Sequence, residues 1–191
     1  MKILQIGCGG IGSYLISEIT ECFEQEQINA FTDISIADSD MIEMEQLRYQ
    51  NFKSNEIGMN KAKALGKRFD VKAIMKRLGK ESQIKGYDII ILCVDNEKTR
   101  EMVIRYCHKN EKEFLDLRAT GRRIFAMPKT TLEGNLKFVD SRDLKEYSCQ
   151  DEMDLEKGLI QKGNKIVALI GVQMLLNLLR GHDNRTINEV I

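Results

Sequence analysis

The sequence has no tryptophan, one proline, two histidines and no excess of either charge. Lys plus Arg and Asp plus Glu number 29 each in 191 residues. This balance argues against a protein that binds nucleic acid or anionic membranes over its whole surface, and leaves only a local patch for such work. The single proline excludes collagen-like chains and proline-rich linkers. With seven Phe and five Tyr, the chain is poor in the aromatic rings that stack on bases.

Five cysteines are scattered along the chain, and none forms a C-x-x-C pair. They are Cys8, Cys22, Cys93, Cys107 and Cys149. Their number and spacing argue against a disulfide framework and against a structural zinc site. The longest apolar stretch, residues 166–179, is too short to span a bilayer, and the N-terminus does not resemble an export signal. We therefore predict a reduced, cytoplasmic protein with no zinc and no membrane association.

Apolar segments of strand length alternate with amphipathic segments of helix length. Predicted strands cover 2–6, 31–37, 71–76, 87–94 and 113–117, and predicted helices cover 11–25, 59–69 and 97–109. Residues 87–94 are almost continuously apolar, which is typical of a central strand covered on both faces. This alternation predicts an α/β fold with a Rossmann-like, mostly parallel sheet and helices on both faces.

The pattern changes after residue 118. Residues 121–127 and 134–140 have period-two character, which predicts antiparallel strands added to one edge of the sheet. The nearly all-apolar residues 163–180 predict a helix that packs on the sheet or on another chain. We predict one domain, residues 1–191. Its parts are a Rossmann-like core at 1–118, antiparallel strands at 119–139, an acidic loop at 140–158, and an apolar C-terminal helix with its tail at 159–191.

A glycine-rich motif follows the first predicted strand and opens the first helix. Glycines permit a tight turn and let the backbone approach phosphate, while the helix N-terminus supplies unpaired N–H groups. The motif suits a mononucleotide or a dinucleotide, and a plain turn is the alternative. The candidate phosphate-binding residues are Gly7, Gly9, Gly10, Gly12 and Ser13.

Three aspartates lie at the ends of predicted strands. Asp38 ends the second strand, where a carboxylate accepts hydrogen bonds from ribose hydroxyls; an exposed turn acid is the alternative. Asp40 is a helix cap or a second polar contact. Asp95 ends the most apolar strand and suits Mg²⁺ carried on nucleotide phosphates. Capping of the next helix by Asp95 is compatible with that role.

Four segments together, in this order, resemble the ThiF/MoeB/HesA family of adenylating enzymes, which are related to the ubiquitin-activating enzyme. They are the glycine motif at 7–13, Asp-Ser-Asp-Met-Ile at 38–42, Ile-Gly-Met-Asn-Lys at 57–61 and Asp-Asn-Glu-Lys-Thr-Arg at 95–100. The resemblance covers roughly residues 1–127, and the apolar last helix is compatible with it. Four motifs in order are far more specific than the glycine motif alone.

The resemblance implies an enzyme that binds ATP and Mg²⁺ and adenylates the C-terminal carboxylate of a small ubiquitin-like or sulfur-carrier protein ending in Gly-Gly. It also implies a homodimer. By the same resemblance, Arg48 and Lys61 are the catalytic cations and Asp95 holds the Mg²⁺. The remaining nucleotide-binding residues would be Asp38, Asp40, Asn96, Arg100 and those of the glycine motif.

The sequence departs from the family pattern at the catalytic arginine. Counting from Asp38 puts that arginine on Tyr49, whereas a one-residue deletion puts it on Arg48 and also brings Lys61 into register. We prefer the deletion, and a lost arginine would favour a non-catalytic scaffold instead. Some family members carry a thioester- or persulfide-forming cysteine near the position of Cys149, but an ordinary surface thiol is the favoured interpretation because the surrounding acids raise a thiol pKa.

Two other functional classes stay open. An NAD(P)-binding Rossmann oxidoreductase or sensor would use the glycine motif and Asp38, but it would leave Lys61 and residues 95–100 without a role. Residues 61–85 contain nine basic and two acidic residues. We interpret this run as a solvated face that partly looks into the phosphate site, with a tRNA-binding surface as the weaker alternative.

Overall fold

A computed structural model describes residues 1–140 and 152–191, and its centre is a seven-stranded sheet. The strands are β1 (Lys2–Ile6), β2 (Asp33–Ala37), β3 (Lys72–Ile74), β4 (Ile89–Leu92), β5 (Glu113–Thr120), β6 (Arg123–Pro128) and β7 (Ile187–Val190). Their order in the sheet is β3-β2-β1-β4-β5-β6-β7. Strands β1 to β5 run parallel, and β6 and β7 are antiparallel to their neighbours. The predicted α/β fold with a mostly parallel sheet is confirmed.

Helices cover both faces of the sheet. They are α1 (Gly10–Glu24), α2 (Lys61–Phe69), α3 (Glu97–Lys109), α4 (Leu132–Asp140), α5 (Glu152–Glu156) and α6 (Gly163–Leu179). Side chains of the central strand β4 alternate between two hydrophobic cores. Ile89 and Ile91 belong to the core that contains residues of α1, α2 and α6, and Ile90 belongs to the core that contains residues of α3. Because β4 is buried on both faces, its sequence is a continuous apolar run.

The predicted strand at 134–140 is wrong, because these residues belong to helix α4. Val139 is buried and Leu136 packs against the same core, a spacing of three residues that suits one face of a helix. The buried Asn135 amide fixes the preceding turn: it donates to the Pro128 carbonyl at 3.0 Å and accepts from the Thr130 N–H at 2.9 Å. Strand β6 pairs with β5 on one side, and the strand on its other side is β7, near the C-terminus.

The acidic segment predicted as a loop is partly helical, because α5 lies within it. Residues 141–151, and with them Cys149, lie outside the described residues. The predicted apolar helix is confirmed as α6, which packs on α1, β5 and β6. Gly171 allows close packing, since a Cβ there would meet the Leu117 side chain. Across the described part of the chain, none of the helices combines the length and hydrophobicity that a bilayer crossing needs.

The strand order creates a crevice at the carboxyl ends of β1 and β4. From β1 the chain continues to β2 on one side, and from β4 it continues to β5 on the other. Loops that leave two adjacent parallel strands in opposite directions open a gap in which ligands of α/β proteins bind. The glycine motif follows β1 and Asp95 follows β4, so both reach this gap.

Candidate active site

A cavity of about 500 Å³ lies at the carboxyl ends of β1, β2 and β4. Its walls include most of the residues that the sequence motifs single out. These are Gly7, Gly9, Gly10, Asp38, Asp40, Lys61, Asp95 and Asn96. A larger cavity, of about 820 Å³, lies at the amino ends of the strands, away from the glycine motif and the motif aspartates. We assign the active site to the smaller cavity because ligands of parallel sheets bind at the carboxyl ends.

The glycine motif forms a tight turn that only glycine fits. Gly7 has φ +98°, and a Cβ there would collide with the backbone of Cys93. A Cβ at Gly12 would collide with the carbonyl of Gly7. These two glycines therefore shape the turn, while Gly9 and Gly10 present their backbone at the cavity wall next to the start of α1. Unpaired N–H groups at a helix start form a site for phosphate.

Gln5, which lies outside the sequence motifs, stabilises this turn. The side chain is fully buried in β1, and its Nε2 donates to the carbonyls of Gly7 at 2.9 Å and Gly12 at 3.0 Å. A glutamine between the apolar residues Leu4 and Ile6 of a strand is the sequence pattern that indicates such a role.

Ser13 lies outside the cavity wall and connects helix α1 to the loop that contains Asn51. Its buried hydroxyl accepts the Asn51 N–H at 3.0 Å, and the Asn51 amide donates to the Ser13 carbonyl at 3.3 Å. The structure therefore assigns Ser13 to holding the segment around residues 44–52 against α1. This segment carries three cavity residues, Gln46, Tyr49 and Gln50.

Asp38 is held in a fixed orientation by the backbone. Its two carboxylate oxygens accept the Cys8 N–H at 2.7 Å and the Asp40 N–H at 2.8 Å. Burial raises the pKa of Asp38; the two N–H donors and Lys61 oppose this rise. Each oxygen still has a lone pair, so the carboxylate can accept hydrogen bonds from a ligand hydroxyl.

Lys61 is the buried cation of the cavity. It is the first residue of α2, is 5% exposed, and its Nζ lies 3.9 Å from a carboxylate oxygen of the exposed Asp40. Asn60 fixes the start of this helix: its side chain accepts the Lys63 N–H at 3.0 Å and donates to the Asp38 carbonyl at 3.0 Å. A lysine is almost never this buried unless it is paired or bound to a ligand.

The residues after β4 divide into a ligand-facing part and a supporting part. Asp95 is exposed at the cavity wall, and Asn96 caps α3 by accepting the Thr99 N–H at 2.9 Å. Arg100 does not line the cavity, since it is 2% exposed and bonds to Asp116 and to the Val94 carbonyl. Arg100 therefore supports the loop that carries Asp95 rather than reaching a nucleotide.

The structure does not bring Arg48 into the cavity. Arg48 is exposed at the end of a 3₁₀ turn, Met44–Arg48, whereas the next residue, Tyr49, is half-buried and lines the cavity. This placement agrees with the simple count from Asp38 and not with the preferred deletion. Two cations that the motifs did not identify, Lys76 and Arg77, line the cavity instead.

The residues present fit a phosphorylated ligand with a magnesium ion. Lys61, Lys76 and Arg77 supply positive charge, and Asp95 supplies one exposed carboxylate. Within residues 1–140 and 152–191 no group of three or more His, Cys, Asp or Glu side chains is placed to hold a metal. Mg²⁺ commonly uses one or two protein carboxylates and takes its other ligands from phosphates and water, so a single carboxylate suffices.

The chain resembles known proteins in sequence and in fold. A model of the ThiF family matches residues 1–191. SUMO-activating enzyme subunit uba-2 of Caenorhabditis elegans is 26% identical over 127 residues, which are 60% of this chain and 21% of that protein.

Two solved structures share the fold. The structure of PaaA has a TM-score of 0.70 at 14% identity, and the match covers 100% of this chain and 64% of PaaA. Escherichia coli MccB, solved with AMPCPP and MccA, also has a TM-score of 0.70, at 13% identity over 99% of this chain and 63% of MccB. The chain thus spans about a fifth of the curated relative and just under two thirds of each structure.

Proposed function

The chain belongs to the ThiF family, and on that premise we propose that it is an ATP-dependent adenylyltransferase acting on a protein C-terminus. The family and the activating-enzyme relative support adenylyltransferase-type activity in general. The finer proposal is that the acceptor is a small ubiquitin-like or sulfur-carrier protein ending in Gly-Gly. The adenylation proposal rests on one observation: the glycine motif, Asp38 and the buried Lys61 line the same cavity.

The proposed reaction joins two anions. An oxygen of the acceptor's C-terminal carboxylate attacks the α-phosphorus of ATP and forms a new P–O bond. The bond from the α-phosphorus to the bridging oxygen breaks, and pyrophosphate leaves with the electron pair; no proton has to move. The site must therefore offset repulsion between anions and stabilise the charge that grows on the leaving group.

We assign each step to residues that lie at the cavity. Gly9 and Gly10 with the start of α1 bind phosphate oxygens, and Asp38 accepts the ribose hydroxyls. Lys61 binds the phosphates, because burial strengthens its field at short range. Asp95 would hold Mg²⁺, which when bound neutralises charge on the phosphates. Asn96 and Asp40 complete the polar wall.

The proposed partner follows from the relatives. One is a subunit of a SUMO-activating enzyme, and another was solved together with MccA. We therefore propose a small protein or peptide as acceptor. The proposal needs no thiol, and Cys149 as a nucleophile in a later transfer step is a separate hypothesis.

A second candidate function is a non-catalytic, scaffold-type member that binds nucleotide or partner without adenylation. The observation that favours it is Tyr49, which lies at the cavity where the family pattern has an arginine. The two candidates differ in one measurement, the acceptor-dependent exchange of pyrophosphate into ATP.

The test of the proposal is ATP–pyrophosphate exchange with Lys61→Ala beside Lys63→Ala. Both lysines lie on α2, but Lys63 is exposed and outside the cavity. Removing a preorganised charge from a reacting site costs about 10²- to 10³-fold in rate. We expect Lys61→Ala to lose that much exchange and Lys63→Ala to keep the wild-type rate. Equal rates in the two variants, or no exchange with any Gly-Gly-ended acceptor, would contradict the proposal.

A further inference from the structure

An ion pair with little solvent exposure joins helix α2 to the loop that precedes it, residues 49–56. Arg68 lies in the last turn of α2 and has 15% of its side chain exposed, and Glu56 has 12%. The Arg68 Nε donates to the Glu56 Oε1 at 3.2 Å, and the Arg68 Nη2 donates to the Glu56 Oε2. Taking two charges out of water is costly, and an apolar pair of similar size often gives equal or greater stability. Stability alone therefore does not explain this pair.

Both side chains also bond to the backbone of this loop. The Arg68 Nη1 donates to the Asn51 carbonyl at 2.7 Å, and the Glu56 Oε2 accepts the Lys53 N–H at 2.7 Å. Asn51 is also bound from the other side, because its N–H donates to the Ser13 hydroxyl of α1 at 3.0 Å. The loop is thus held between α1 and α2, and the first residue of each of these helices lines the active-site cavity.

Two residues of the active-site cavity, Tyr49 and Gln50, come directly before this anchored stretch of the loop. Gln50 is 6% exposed, and its Nε2 lies 3.9 Å from the position that a Cβ would take on Gly9. Gln50 therefore packs over the glycine motif, at the wall of the cavity that we assign to phosphate. A shift of the loop would move both residues away from this wall. It would not move Asp38, whose carboxylate is held by hydrogen bonds from other backbone groups.

We propose that Arg68 and Glu56 are positioning residues, which hold Tyr49 and Gln50 over the glycine motif so that the cavity binds the phosphates of its nucleotide. The identity of the ligand rests on the proposed function, whereas the positioning is a property of the fold. Arginine suits this role because its planar fork binds a carboxylate and a carbonyl in one fixed geometry, which the flexible ammonium group of a lysine does not. The pair also joins the loop to the helix that begins with Lys61, so the two sides of the phosphate site keep a fixed separation.

Amide hydrogen exchange tests the positioning without any ligand. In the double variant Arg68→Met with Glu56→Leu, two apolar side chains replace the ion pair, so we expect a Tm no lower than that of wild type. The amides of residues 49–53 should nevertheless exchange about tenfold faster, because the loop has lost its anchor to α2.

The matched control is Arg105→Met with Glu101→Leu, which removes an ion pair on α3 whose side chains are 54% and 44% exposed. We expect wild-type exchange over residues 49–53 in this control. If the Arg68 double variant does not fold, Arg68→Lys takes its place, since it keeps the charge and loses the planar fork, and we expect the same faster exchange. Unchanged exchange over residues 49–53 in the folded variant would overturn the inference, whatever the activity of the protein.

Isothermal titration with two probes tests the link to phosphate binding. The probes are AMPCPP, which carries a chain of three phosphorus groups, and adenosine, which carries none. We expect the Arg68 double variant to bind AMPCPP with a Kd about tenfold higher, because one lost hydrogen bond to a charged group has about that effect. Adenosine should bind with a Kd within about twofold of wild type, whereas a general loss of structure would weaken the binding of both probes.

The outcomes separate this inference from the proposed activity. Faster exchange of the loop together with unchanged AMPCPP binding overturns the link to phosphate. Weaker AMPCPP binding in the double variant, together with no pyrophosphate exchange in wild type, overturns adenylation and supports the positioning. A wild type that does not bind AMPCPP overturns both the proposed function and the link to phosphate.

Discussion

At the scale of single residues, the placement of Tyr49 and Arg48 bears on the catalytic arginine of the family pattern. Either a tyrosine replaces this arginine at position 49, or the arginine lies one position earlier, at position 48. Tyr49 lines the cavity, whereas Arg48 is exposed and does not line it. A long flexible side chain can move, but Arg48 would have to give up solvation to reach the phosphates. We therefore expect the positive charge to come from Lys61, Lys76 and Arg77.

We predict that Arg48→Ala keeps ATP–pyrophosphate exchange within about twofold of wild type, because an exposed residue off the cavity has no transition-state contact to lose. Tyr49→Ala should lower exchange more, since it removes a wall of the site, and Tyr49→Phe should separate the ring from its hydroxyl. A fall of about 10²- to 10³-fold in Arg48→Ala alone would restore the deletion alignment and make Arg48 the catalytic cation.

Asp38 gives the site a pH dependence whose sign follows from its environment. Burial raises the pKa of this carboxyl above its ordinary value, so the proton is held more tightly in the folded protein than in the unfolded chain. Its contribution to stability therefore decreases as pH rises from the ordinary Asp value through the raised one. Ligand binding has the opposite pH dependence. Only the ionised carboxylate can accept hydrogen bonds from two ligand hydroxyls while its oxygens also accept the two backbone N–H groups.

We predict that adenosine binding weakens as the pH is lowered from about 7 toward the ordinary Asp pKa of about 4. Adenosine is the probe because it carries no titrating phosphate. Isothermal titration at several pH values would measure the loss, and Asp38→Asn should bind more weakly and with a flatter profile. A wild-type profile that matches that of Asp38→Asn would mean that Asp38 does not contact the ribose.

At the scale of elements, a buried charge cluster ties β4, α3 and β5 together. Asp116 on β5 is fully buried between Arg100 of α3, at 2.9 Å, and Arg118, at 2.6 Å. Burial disfavours its ionisation, but the two guanidinium groups outweigh this and lower the pKa of Asp116. Arg100 also bonds to the carbonyl of Val94, so the cluster fixes the loop that presents Asp95.

We predict that Asp116→Asn destabilises the protein by about 3–5 kcal/mol in urea unfolding, because it removes the carboxylate that lies between two buried guanidinium groups. Since the pKa of Asp116 is lowered, its stabilisation is present above the ordinary Asp pKa and is lost as pH falls through the lowered one. The matched control is Asp88→Asn. The pKa of Asp88 is also lowered, by the backbone N–H of Lys2 and by the side chain of Lys112. The Asp88 side chain is 44% exposed, however, and an exposed ion pair such as that of Asp88 with Lys112 contributes about 0–1 kcal/mol. Similar losses in both variants would contradict the assignment.

Hydrophobic period explains which elements were predictable from the sequence. The parallel core was predictable, because strands such as β4 are apolar throughout and the helices of this core have one apolar face. Helix α4 was not, because the period-two pattern over residues 134–140 is short, and its helical face is defined by distant contacts such as Phe125 with Phe138. Strand β7 is four residues long and largely exposed, so only its pairing with β6 makes it a strand.

The candidate site was predictable in type and less so in orientation. Residues tied to a strand end or helix start, such as Asp38, Lys61 and Asp95, have directions that the backbone fixes. Arg48 ends a 3₁₀ turn, where one residue changes the side chain from the cavity to solvent. Lys76 and Arg77 belong to the basic run at 61–85, and the sequence does not show which side chains of this run line the cavity. Gln5 acts through its burial, and its place between Leu4 and Ile6 is the sign of this that the sequence contains.

At the scale of the whole molecule, exposed apolar side chains are distributed over the described surface, and some of them lie on the C-terminal elements. Leu169 on α6 is 48% exposed, and Val190 at the end of β7 is 64% exposed. Strand β7 is also an edge of the sheet, and an edge strand offers unpaired backbone groups. We propose that these elements form the interface of a homodimer, in which the same patch of each copy faces the other.

We predict that Leu169→Glu shifts the protein to a lighter species in sedimentation velocity and makes its Tm independent of concentration. The reason is that a charge placed in the centre of a symmetric apolar interface meets its own copy and loses its hydration. Leu132→Glu is the matched control, because Leu132 lies on α4 and is 39% exposed, away from α6 and β7. We expect the control to sediment as wild type does. If wild type and both variants sediment alike as monomers, the interface does not exist, and all the residues that the adenylation needs must come from one chain.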